Sequence, residues 1–77
     1  MTINLTKEEK AQIISSHLKN LNYTKYNLEI DIIQENAKDL PSSSSINNFN
    51  SQVDEVDNQI LALETKLAEV NATTEQE

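Results

Sequence analysis

Between Ile46 and Val70 the apolar residues Ile46, Phe49, Val53, Val56, Ile60, Leu63, Leu67 and Val70 follow one another in alternating steps of three and four. That rhythm is the seam of a coiled-coil helix, and it constrains the chain more than any other feature. A seam needs a partner. The rest of the sequence reads as that partner, the turn that leads to it, and the ends.

Glycine is absent and the only proline is Pro41, followed by Ser42–Ser45. Without glycine there are few cheap routes to positive φ, so tight hairpins and phosphate-cradling loops are disfavoured. The Pro-Ser run is the one turn signal. Thr6-Lys7-Glu8-Glu9 reads as a capping box, in which the Thr6 hydroxyl and the Glu9 carboxylate satisfy free N–H groups at a helix start. One helix is therefore expected over about 6–38, a turn over about 39–44, and a second helix over about 45–71. Ser43, Ser44 or Ser45 is expected to cap the second, and 72–77 to form a disordered polar tail. The whole of 1–71 is one domain.

The first helix carries two stripes. Ala11, Ile14, Leu18, Leu21, Leu28 and Ile32 keep heptad spacing, with Lys25 standing where an apolar residue is due. At about 100° per residue, Tyr23, Tyr26, Ile30, Ile33 and Ala37 fall on roughly the opposite side. A short connection makes consecutive helices antiparallel, with facing residue numbers expected to sum to about 81 to 83. At 82 to 83 the second stripe would meet the seam, but only near the turn, since beyond Tyr23 it offers Lys19, Ser16 and Gln12. At 81 the first stripe meets the seam along its whole length, and this longer match is the expected one: Leu18 faces Leu63, Leu21 faces Ile60, Leu28 faces Val53 and Ile32 faces Phe49. Charge agrees, because Lys10, Lys19 and Lys25 then lie beside a helix carrying Asp54, Glu55, Asp57, Glu64 and Glu69. The fold class is all-α: an antiparallel two-helix hairpin of coiled-coil type, assembling into a four-helix bundle or a higher oligomer.

A chain of 77 residues buries a modest share of its surface, and with no cysteine it cannot be stapled by disulfides. The second stripe, Tyr23, Tyr26, Ile30, Ile33 and Ala37, is accordingly expected to be an interface, with a dimer of hairpins favoured. A further protein partner is compatible with it. The net charge of −7 and the absence of arginine argue against nucleic acid, since arginine supplies bidentate phosphate contacts. No apolar run approaches a membrane span.

Chemistry-bearing residues are few. His17 stands alone at the edge of the first stripe and reads as a solvated or interface histidine. Asp54, Glu55 and Asp57 read as a charged solvent face, because hard cations want six or more oxygens and no third element converges there. Ser42–Ser45 read as a flexible turn without a base beside them, and Leu61 as a single exposed leucine. No catalytic residue, cofactor, metal site or small-molecule substrate is expected, and the chain is read as a non-enzyme.

The segment INLTKEEKAQIISSHLKNLNYTKYNLE, with the ending DNQILALETKLAEV, resembles short uncharacterised helical-hairpin proteins of marine tailed phages and environmental viral sequences. The shared style is a capped, lysine-bearing first helix, a Pro/Ser turn and a heptad second helix. The resemblance implies a phage accessory or virion component, located in the host cytoplasm or the virion, and carries no functional residues over. From the residues alone, the expected role is a structural or adaptor protein acting through helix packing and self-association. The alternative is an acidic decoy that occupies a basic, nucleic-acid-binding surface of a host protein.

Overall fold

The computed structural model describes residues 4–72 and contains two helices, α1 (Lys7–Asn36) and α2 (Ser43–Ala72), packed against each other as a hairpin. The expected tail therefore lies outside the described residues except for Ala72, which is the last residue of α2. The molecule is a rod of 60 × 21 × 15 Å, one helix thick in its narrowest direction. In such a shape the shared seam is the main place where side chains leave water.

Burial follows the two seams. On α2, all eight seam residues from Ile46 to Val70 are buried or half-buried, with Val56 and Val70 the most covered. On α1, Ala11, Ile14, Leu18, Leu21, Leu28 and Ile32 are covered in the same way, Leu28 the most. The first stripe, not the second, is thus the intramolecular one. Lys25 joins Asp57 at 2.8 Å, a pair whose numbers sum to 82, inside the 81 to 83 read from the sequence, although it is the first stripe and not the second that is covered. Lys25 keeps its seam position by laying its stem along the contact and delivering its ammonium to the edge.

The alternating spacing does not stop at Ile32. Its next step reaches Glu35, which is buried with 7% of its surface exposed. The Glu35 carboxylate accepts from the Ser42 N–H at 2.9 Å through Oε2 and from the Lys38 ammonium at 3.0 Å through Oε1. Buried carboxylates persist only when their oxygens are satisfied in this way.

Two boundaries on either side of this contact differ from those expected. The cap of α2 is Ser42, ahead of the Ser43–Ser45 span expected from sequence. Its hydroxyl accepts from the Ser45 N–H at 3.2 Å and its carbonyl from the Ile46 N–H at 3.1 Å. Ser43–Ser45 are the first turn of the helix and not a flexible turn. α1 ends at Asn36, before the expected 38, because the Ala37 N–H reaches both Ile33 O at 3.1 Å and Gln34 O at 3.3 Å, and Lys38 bonds Glu35 O at 3.2 Å. That tightening closes the helix with Ala37 at φ −82°, without the left-handed residue that glycine usually supplies.

Candidate interaction surface

α1 begins with the expected capping box. Thr6 Oγ1 accepts from the Glu9 N–H at 3.1 Å, while Glu9 Oε1 accepts from the Thr6 N–H at 2.8 Å. From this fixed start the helical period carries Tyr23, Tyr26, Ile30, Ile33 and Ala37 to the side away from α2. Tyr23, Tyr26 and Ile33 are 69%, 64% and 62% exposed, Ala37 is exposed, and Ile30 is half-buried. The helical period brings the five residues together on one face, and the hairpin leaves all of them but the half-buried Ile30 in water.

The face is not flat. Lys19, Asn22, Tyr23, Tyr26 and Asn27 line a shallow, mainly apolar groove of about 300 Å³. The Asn22 side-chain amide is turned back to donate to Leu18 O at 3.0 Å, which leaves the tyrosine rings as the groove's main surface. Tyrosine suits such a place because it joins a large apolar area to a polar tip.

The remaining candidates are dispersed. His17 is exposed and shares a groove with Leu21, Gln59, Ala62 and Leu63, none of which is ionisable or nucleophilic. Asp57 is engaged by Lys25, while Asp54 and Glu55 point to solvent. Among the described residues no group of three or more His, Cys, Asp or Glu side chains is placed to hold a metal ion. The hydrogen bond and charge of Asp57 raise the pKa of Lys25, against the opposing effect of burial and with a smaller contribution from Glu29. Leu61 is exposed as expected.

Three exposed apolar residues were not anticipated. Leu40 is 88% exposed at the turn, and Leu5 and Ile13 lie at the opposite end of the rod. With Lys10, Ile14, Lys66 and Val70 the latter two line an apolar groove of about 200 Å³. The adjacent pair Ile13-Ile14 held the signal for one of them, since a single seam takes only one of two neighbours. Among the described residues no helix is long and apolar enough to cross a membrane. The chain matches no family model, no curated protein and no solved structure.

Proposed function

We propose that this protein is a non-enzymatic structural or adaptor element that works by helix packing and self-association through the outer face of α1. One observation carries the reading: the hairpin uses one stripe of α1 and leaves Tyr23, Tyr26 and Ile33 in water on the other. Contiguous apolar patches of this kind mark interaction sites in soluble proteins. The thinness of the rod adds to it, since among the described residues only Leu28, Val56 and Val70 are buried apolar side chains and none is completely enclosed. A phage accessory or virion component, in the host cytoplasm or the virion, is the biological setting proposed for it.

Changing Ile30 and Ile33 together to glutamate tests the reading by light scattering on the full chain. Each substitution puts an unpaired charge into a desolvated contact, so association should weaken by about 100-fold or more. A variant that keeps the parent's mass and melting temperature removes this face from consideration. The second reading, an acidic decoy for a basic protein, is favoured by Asp54, Glu55 and Glu64, which stay exposed on α2. Salt separates the two readings. Decoy binding should fall steeply with ionic strength, whereas an apolar self-contact should not.

A further inference from the structure

The outer stripe has a symmetry that the hairpin itself does not use. Measured from Ile30, its members lie at −7, −4, 0, +3 and +7, so the pattern read backwards matches itself to within one residue. Two copies of α1 laid antiparallel about an axis at Ile30 would set Tyr23 opposite the second copy's Ala37, and Tyr26 opposite its Ile33. Large residues then meet small ones at both ends. A parallel pairing would set tyrosine on tyrosine and alanine on alanine, crowding one end and leaving the other empty.

The antiparallel register also joins features left over from the fold. Tyr23 and Ala37 each lie about 10 Å from Ile30 at 1.5 Å per residue, so the Lys19–Tyr23 end of the groove comes opposite the turn of the second copy. Leu40, 88% exposed, stands at that turn. The position opposite the second copy's Asp39 is Leu21, two residues or about 3 Å along the axis from Lys19 at the groove's edge, within reach of a lysine side chain. Neither Lys19 nor Asp39 forms an ion pair within its own described chain, and their signs are opposite.

Resting on the self-association reading above, we propose that two copies pair isologously through antiparallel α1 helices about a two-fold axis at Ile30. Leu40 of each copy packs at the Lys19 end of the other's groove, beside Tyr23, and Lys19 reaches Asp39 across the contact. The order of helices across the assembly is α2, α1, α1, α2, with the acidic helices outermost. Two features of this register are unfavourable: Glu29 and Asp31 flank Ile30 on either side, and each comes beside its own copy near the axis.

The absence of cysteine makes single-cysteine variants of the full chain clean probes. Under copper–phenanthroline oxidation, Ile30→Cys should cross-link to itself, because disulfides need Cα atoms about 4.4–6.8 Å apart. Tyr23→Cys and Ala37→Cys should cross-link when mixed and stay separate alone. These last two positions are exposed and off the seam, so the hairpin survives their substitution, which circular dichroism verifies. Lys19→Glu and Asp39→Lys should each weaken the dimer several-fold, the double variant should recover it, and Glu29→Gln should tighten it. Self-linking of Tyr23→Cys overturns the antiparallel register. So does a dimer of unchanged mass in which neither Ile30→Cys nor the mixed pair links. A monomeric parent instead overturns the self-association reading on which the register rests.

Discussion

The two helices begin with the same hydrogen-bond pattern built from different parts of the chain. At the start of α1, Thr6 and Glu9 exchange hydrogen bonds across three residues. At the start of α2, Ser42 accepts from Ser45 in the same way, but Ser45 has no carboxylate to return the bond. Glu35 returns it, from seven positions upstream on the other helix. The first turn of α2 contains no acidic residue of its own, whereas that of α1 holds Glu8 and Glu9. Glu35 thus also supplies the negative charge that the positive end of a helix dipole favours. A box closed within one helix requires only that helix. A box closed across the turn forms only when both helices are in place, so it couples local capping to the hairpin.

The largest effect expected from this difference is on Glu35. Glu35→Ala strands the Ser42 N–H, removes the anion from the start of α2 and opens a hole at the end of the seam. Its melting temperature should fall further than that of Glu9→Ala, which affects one exposed turn. Spin labels at Ser16 on α1 and Gln59 on α2 should show a broadened distance distribution in Glu35→Ala and an unchanged one in Glu9→Ala. Equal losses in the two variants would mean that Glu35 is a local cap like any other.

A smaller effect comes from titrating the same carboxylate. The Ser42 N–H first, then the Lys38 ammonium, hold the Glu35 pKa below its ordinary value, with burial pulling the other way. A carboxyl with a lower pKa folded than unfolded stabilises the fold above its unfolded value, about 4.3. That contribution is lost as the pH falls from there through the folded value. The melting temperature of the parent should therefore drop on acidification more steeply than that of Glu35→Gln, and the two curves should converge toward the acid end. Parallel curves from neutral pH to acid would show that the charge on Glu35 is not what closes the turn.

The contrast also marks where the sequence was legible. The α2 seam and the Thr6 box are short-range patterns: a repeat of three and four, and a cap with a carboxylate three residues on. Both were readable because the residues that make them are neighbours. The Ser42 cap was not, because its second half lies across the turn and Ser42–Ser45 offer four equivalent hydroxyls. The signal was present in the α1 spacing, whose next step after Ile32 is Glu35, a charge on a seam position seven residues before a serine. Lys25 was visible as an intruder on the same seam. Asp57 as its partner follows once the register is fixed, since only then does a lysine on one helix acquire a specific carboxylate on the other. Exposure of Tyr23, Tyr26 and Ile33 was legible because a helix with two apolar sides cannot bury both against one partner. Leu40 was not, because nothing in a residue that precedes proline says which way the turn will aim it.

The smallest expected effect is at the start of α1, and it tests whether the two boxes are independent. Thr6→Ala removes the acceptor for the Glu9 N–H at an end of the rod where the first seam residues, Ala11 and Ile14, are only half-buried. The loss should sit near the lower end of the usual range for an N-cap, about 0.5 kcal/mol. In a domain of this size that is a melting shift of about 2–4 °C. Thr6 and Glu35 stand about 40 Å apart along α1 at 1.5 Å per residue and share no partner. The losses in the double variant Thr6→Ala, Glu35→Ala should therefore add to within about 0.5 kcal/mol, as they do for distant sites. Thermal melts of the parent, the two single variants and the double variant provide the cycle. A coupling well beyond that margin would mean that fraying at Thr6 is transmitted to the turn. The box at α1 would then belong to the hairpin as much as the box at α2 does.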